Sequence, residues 1–402
     1  MITLPRAAAA AVLACTLALP ATAAAAATAP DTAAGRPPAA WPAASDAASA
    51  GRMRLPAPTG AHGVGSTVLH LADRSRKDPW VPAADGRELM VTLHYPAARR
   101  THGRPAPYAT EPEARELLKT AGVPDRPSAV RELARMRTHG AVDARPAPGR
   151  HPLVVLSPGF GAPRFTLTNL AEDLASRGYV VASVDHAYES SGTSLPDGRL
   201  LTCTACKALD EDGVPASAVT AARAADTRFL LDRLTGPAPA WRHAASIDAS
   251  RIGMAGHSIG GASAATAMLA DPRIDAGVNM DGAFWDELPA GGLQGRPFML
   301  LGTDDDTHRP GGTDTTWDTA WQALGGWKRW LTVAGADHFS FSDGPVIQRR
   351  FGLPAGDIPA ERALAVTRAY TAAFFDQHLR GQPQRLLDGP DAAHPEVRFH
   401  QP

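Results

Sequence analysis

The stretch Arg251-Ile252-Gly253-Met254-Ala255-Gly256-His257-Ser258-Ile259-Gly260-Gly261-Ala262-Ser263-Ala264-Ala265 decides the fold. Arg251 to Ala255 read as a buried strand, and Gly261 to Ala265 as the start of a helix built from small residues. Between them lies a G-x-S-x-G turn. A serine at the centre of such a turn sits in strained backbone, with its hydroxyl standing above the sheet edge at the positive end of the following helix. Gly256 and Gly260 are needed because a side chain two positions from the serine would collide with the neighbouring strand or helix. Ser258 is therefore the expected nucleophile. The motif takes its weight from the strand before it and the helix after it.

Outward from this turn the chain alternates strands and helices. Upstream, Pro152–Leu156 and Tyr179–Val184 read as strands, Thr166–Arg177 and Ser217–Leu234 as helices. Downstream, strands are expected at Gly277–Met280, Phe298–Leu301 and Trp330–Val333, and Val366, Tyr370, Ala373 and Phe374 mark the apolar face of a last helix. This alternation predicts an α/β fold with a mostly parallel central sheet and helices on both faces. Right-handed connections would then gather the strand C-termini, and the reactive groups, along one edge. Ser66–Leu71 and Glu88–Tyr95 predict an antiparallel pair at the start of the sheet. Residues 100–148 form a long insertion with two short helical patterns, readable as a partial lid or as surface decoration.

The chain has 402 residues, 44% of them hydrophobic and 20% charged, with a net charge of -1. That suits one large domain over 61–402 and gives no sign of steering toward nucleic acid or an anionic membrane. Arg6, the apolar run Ala7–Leu19 and the small residues after Pro20 read as a secretory signal over 1–26, too short for a permanent membrane anchor. An Ala/Pro-rich linker is expected over 27–60. Export implies an extracellular protein. It also removes Cys15, so Cys203 and Cys206 are expected to form a disulfide stapling a polar, Gly-rich loop. No further ligands at zinc spacing accompany them.

A serine hydroxyl needs a base, and the base needs an orienting carboxylate. His338, after the strand Trp330–Val333, is the expected base. Of the 14 histidines, the others beyond that strand are His378, inside the last helix, and His394 and His400, in a Pro-containing tail. Two places offer the acid. Asp281 ends a strand in apolar surroundings, where an unpaired charge would be costly. Asp304, Asp305 and Asp306 end the next strand and look like a solvated loop; three adjacent acids lack the alternating spacing of a calcium loop. The reading favours Asp281. The backbone N–H groups of Ile259 and of Phe160, in the turn Pro158-Gly159-Phe160-Gly161, are the expected oxyanion donors. His186, His257 and Trp285 are candidates for lining the substrate pocket.

Ser157-Pro158-Gly159-Phe160-Gly161, Val184-Asp185-His186, Gly256 to Gly261, Asn279-Met280-Asp281-Gly282 and Ala336-Asp337-His338 resemble, in this order, the platelet-activating-factor acetylhydrolase-like branch of the α/β-hydrolases. The resemblance runs from about Val64 to Gly381. It implies the α/β-hydrolase fold and a cofactor-free serine esterase acting on a small-molecule or lipid ester, with Ser258 as nucleophile, Asp281 as acid, His338 as base, and Phe160 and Ile259 as oxyanion donors. The family often has His-Gly where this chain has Pro158-Gly159. A lipase or polyester hydrolase shares the chemistry, and a catalytically silent binding module is the alternative from another class.

Overall fold

The computed structural model describes residues 52–98 and 103–402. The expected signal segment and most of the expected linker lie outside the described residues.

The strands are β1 (Gly63–Asp73), β2 (Arg87–Ala97), β3 (Gly140–Val142), β4 (His151–Ser157), β5 (Val180–His186), β6 (Thr193–Ser194), β7 (Leu200–Leu201), β8 (Ile247–His257), β9 (Ile274–Met280), β10 (Phe298–Thr303), β11 (Lys328–Val333) and β12 (Val397–His400). Ten of the described strands form one sheet in the order β12-β11-β10-β9-β8-β4-β5-β2-β1-β3. From β5 through β4, β8, β9 and β10 to β11 every neighbour is parallel. The β1/β2 pair is antiparallel, as the sequence predicts.

Continuous apolar runs are what a parallel sheet covered on both faces requires. In β4, Leu153 and Val155 enter one core while Val154 and Leu156 enter the other. Helices α5 (Ser217–Thr235), α6 (Ile259–Ala270) and α7 (Thr316–Ala323) contribute to the first core. Helices α3 (Thr168–Ser176) and α8 (Ala360–Arg380) contribute to the second. This is the α/β-hydrolase architecture.

Three expectations change. The linker does not reach residue 60: Met53 and Leu55 are buried, and Thr59 donates through both its N–H and its hydroxyl to the Asp173 carboxylate. Met53 and Leu55 pack with α1 (Glu111–Thr120) and α2 (Pro127–Ala134) of the insertion, and with Phe165 and Leu364 of the main body, in a satellite core. The Pro-containing tail ends in β12, which pairs antiparallel with β11. Cys203 and Cys206, expected in a loop, stand at the start of the short helix α4 (Thr204–Asp210), where they are bonded to each other.

Among the described residues, no helix is long and apolar enough to cross a membrane.

Candidate active site

β8 delivers Ser258 to the C-terminal edge of the sheet, and α6 begins at the next residue. Ser258 has φ +56°, a left-handed conformation that costs a non-glycine residue about 1–3 kcal/mol and persists only where the surroundings impose it. The surroundings do so here. The Ser258 N–H donates to the Met280 carbonyl at 2.7 Å, and its own carbonyl accepts from Gly261 at 2.8 Å. A Cβ on Gly256 would lie 2.1 Å from the Gly260 carbonyl carbon, and one on Gly260 would lie 2.1 Å from the Ser157 oxygen. The elbow closes only with glycine at both positions.

β9 ends at Met280, and Asp281 follows it with φ +61°. Its turn is tied by Asn279, which accepts from the Gly282 N–H at 2.9 Å and donates to the Gly282 carbonyl at 2.7 Å. The Trp317 indole donates to the same carbonyl. Asp281 is 2% exposed. One carboxylate oxygen accepts from the His338 Nδ1 at 2.6 Å; the other accepts from the Thr303 N–H at 2.7 Å.

Burial works against the charged form of Asp281. The hydrogen bond from His338, then the charges of His308 and His338, override it and hold the carboxyl below its ordinary range. Burial likewise opposes protonation of His338, but the Asp281 hydrogen bond and charge raise its pKa above the ordinary value. The His338 side chain remains 44% exposed.

The acidic run after β10 is committed elsewhere. Asp304 pairs with Arg309 and Arg398 and accepts from Thr332. Asp305 accepts from the Thr303 hydroxyl at 2.7 Å and lies 3.2 Å from the His308 Nδ1. Asp306 is exposed beside Arg309. None of these carboxylates bonds His338.

The turn after β4 abuts the elbow: a Cβ on Gly159 would lie 3.4 Å from the Ser258 Cβ. Among the described residues, neither the Phe160 N–H nor the Ile259 N–H donates to a protein acceptor. Two unspent donors therefore flank the serine. The Ser258 hydroxyl itself makes no hydrogen bond among the described residues, so the link to His338 is open; such links often tighten only with substrate in place.

Two expected pocket residues are corrected. His186 is 2% exposed, and both ring nitrogens are occupied, Nδ1 by Asp226 at 2.8 Å and Nε2 by the Ser157 hydroxyl at 3.1 Å. It belongs to the ionic layer beneath the turn. His257 is 3% exposed and donates from Nε2 to the His338 carbonyl at 2.6 Å, with its ring 4.6 Å from the His338 ring. Burial, then the neighbouring His338 charge, push its pKa down to about 3, so it stays neutral. It buttresses His338. Trp285 stands 41% exposed in the loop after Asp281, and Phe339 is 52% exposed beside the His338 ring.

A family model described as "Platelet-activating factor acetylhydrolase, isoform II" matches residues 47–196. A probable 1-alkyl-2-acetylglycerophosphocholine esterase from Arthroderma benhamiae is 30% identical over 376 residues, covering 86% of this chain and 93% of the fungal protein. The chain belongs to the platelet-activating-factor acetylhydrolase-like family of α/β-hydrolases. The platelet-activating factor acetylhydrolase of Gallus gallus is 24% identical, over 81% of this chain and 84% of the avian one. Among solved structures, the ferulic acid esterase of Streptomyces cinnamoneus superposes with a TM-score of 0.78 at 48% identity, covering 87% of this chain and all of that one. The family member described here is a carboxylic ester hydrolase.

The sequence reading missed Asn279, Thr303 and His308. Asn279 lies within the Asn279-Met280-Asp281-Gly282 motif, and only its place two residues before an acid at a strand end hints at a turn clamp. The other two carry no local signal.

Proposed function

We propose that this hydrolase is a secreted serine esterase working through Ser258, His338 and Asp281 and an acyl-enzyme intermediate. The observation that supports it best is the 2.6 Å His338–Asp281 pair on the sheet edge that carries the strained Ser258 elbow. Nδ1 of His338 is spent on Asp281, which leaves Nε2 to take the serine proton. Ser258 Oγ attacks the ester carbonyl as that proton moves to Nε2. The negative charge gathering on the carbonyl oxygen meets the N–H groups of Phe160 and Ile259. The imidazolium, stabilised by Asp281, gives its proton to the departing alcohol. Water then attacks the acyl-enzyme by the reverse sequence and releases the acid.

The acyl group is small on the acetylhydrolase reading. One observation favours a second reading, an esterase for aromatic acyl groups. Trp285 and Phe339 are two of only four large hydrophobic side chains exposed among the described residues, and both follow members of the proposed triad closely. Flat aromatic surface beside a nucleophile suits a planar acyl group, and a solved relative at 48% identity is titled a ferulic acid esterase. Rates on matched acetyl, butyryl and feruloyl esters test the choice. A preference for feruloyl lost in Trp285→Ala supports the second reading; a preference for acetyl untouched by that change supports the first.

Secretion rests on the leader-like residues 1–26. The amino-terminal sequence of protein collected outside the producing cells tests it, with a start near residue 27 expected and an intact Met1 contradicting it.

A further inference from the structure

Beneath the Pro158–Gly161 turn lies a buried ionic layer that the proposed chemistry does not use. Arg87, fully buried, donates to Asp78, Asp226 and Glu189. Arg76 also reaches Asp226. Asp226 thus has two guanidinium partners without Arg223. Arg223, 1% exposed and projecting from α5, donates from Nε to Glu189 at 2.7 Å. Its Nη1 turns to the Pro158 carbonyl and to the Ser157 hydroxyl, the latter at 3.1 Å. Charge neutralisation alone would not aim a guanidinium at a main-chain carbonyl.

The carbonyl that Arg223 holds is also the one the elbow presses upon. A Cβ on Gly260 would come within 2.7 Å of the Pro158 oxygen. On the far side of the turn, the Gly161 N–H donates to the Glu189 carbonyl at 2.9 Å, and the Gly161 carbonyl accepts from Ser191 at 2.8 Å. Glu189 accepts from Arg223 through its side chain. Arg223, through its guanidinium, and Glu189, through its main-chain carbonyl, therefore grip the turn at both ends and are joined to each other by their side chains. The turn needs an external grip. Pro158 has no N–H to tie itself down, and Gly159 and Gly161 leave the backbone permissive.

An oxyanion donor works only within about 2.7–3.1 Å of the developing charge. We infer that Arg223 is a positioning residue for ester hydrolysis, holding the Pro158–Gly161 turn so that the Phe160 N–H faces the oxyanion. This rests on the proposed role of Phe160.

The test compares full-length parent, Arg223→Met and Arg223→Lys. Active sites are counted by exhaustive fluorophosphonate labelling. Then kcat and KM on p-nitrophenyl acetate are measured per titrated site, together with the inhibition constant of a trifluoromethyl ketone, whose adduct places an oxyanion in the hole. For Arg223→Met the expected result is a fall in kcat of roughly 10–100-fold, below the cost of losing a donor outright. Ketone affinity should weaken in parallel, with KM within about threefold. Lys restores one donor to the carbonyl but not the fork, so Arg223→Lys falls between.

A loss confined to the number of titratable sites, with kcat and ketone affinity per site unchanged, would show a purely structural role and overturn the inference. If neither variant yields titratable sites, Ser157→Ala decides. It removes one acceptor of Nη1, together with the partner of His186 Nε2, and keeps every charge. Parallel losses in kcat and ketone affinity of about threefold or more, a fraction of the cost of losing a donor, support positioning; parental values overturn it. Failure of the parent to label at Ser258 would instead overturn the proposed chemistry.

Discussion

Two acidic loops end neighbouring strands of the sheet, Asp281 after β9 and Asp304-Asp305-Asp306 after β10, and they behave differently. Asp281 is buried, held in a left-handed turn, and meets two partners from other segments, His338 and the Thr303 N–H. The later run has more negative charge but spends it on Arg309 and Arg398, while His308 lies between the loops, 3.2 Å from Asp305 and 3.5 Å from Asp281. What fits a carboxylate to orient an imidazole is burial without a competing guanidinium. The two loops also touch: Thr303, held by Asp305, donates its N–H to Asp281. The second loop braces the first.

The comparison is calibrated by Ser258→Ala, which should carry the largest loss. Ester turnover is expected to fall by about 10⁴-fold or more, with the thermal unfolding transition retained. Stopped assays at high enzyme concentration measure the floor; turnover near the parental rate would remove Ser258 from the chemistry.

Asp281→Asn should come next, with kcat down by about 10²–10⁴-fold because Asn keeps the shape but favours the wrong imidazole tautomer. The pH profile sharpens this point. On the proposed mechanism His338 must be neutral to accept a proton, so kcat/KM falls as acid protonates it. Asp281 raises the His338 pKa above its ordinary value. Removing that charge should move the acid-side midpoint of kcat/KM to lower pH, alongside the drop in rate. A midpoint that stays or rises would mean another group sets it.

Asp305→Asn is expected to cost less than about tenfold in kcat, since it loosens Thr303 and His308 behind Asp281 without touching His338. If it proves as damaging as Asp281→Asn, the two loops share the acid's role and the comparison breaks. Asp304→Asn should be the mildest in its effect on activity. Its arginine partners are half-exposed, but its own carboxylate is 2% exposed and also accepts from Thr332, so the expected cost is about 1–3 kcal/mol in stability. Activity should match the parent, as checked by denaturant melts beside initial rates.

Local patterns in the sequence are enough to place the parallel core. Leu153 to Leu156 is a continuous apolar stretch, Val180 to Val184 is interrupted only by Ser183, and the elbow has glycines where no side chain fits. Ser258, Asp281 and His338 are legible because each closes such a strand or its following turn. Other features leave no periodic trace. β12 is a four-residue strand in a Pro-containing tail, and α4 is a seven-residue helix with one buried residue, Ala205. Met53 and Leu55 are hidden among Ala and Pro. The ionic layer joins Arg87, Glu189, Arg223 and Asp226 across more than a hundred residues, and a charged residue in a sequence is read as exposed unless its distant partner is known. That is why His186 reads as a pocket residue until Asp226 is seen beside it.

The most direct measurement is the rate and site of fluorophosphonate labelling, followed by mass spectrometry of the digested protein, for the parent, Asp281→Asn and Asp305→Asn. The account predicts a single adduct on Ser258, formed far more slowly in Asp281→Asn and at close to the parental rate in Asp305→Asn. An adduct on another residue, or labelling slowed by Asp305→Asn and not by Asp281→Asn, would contradict it.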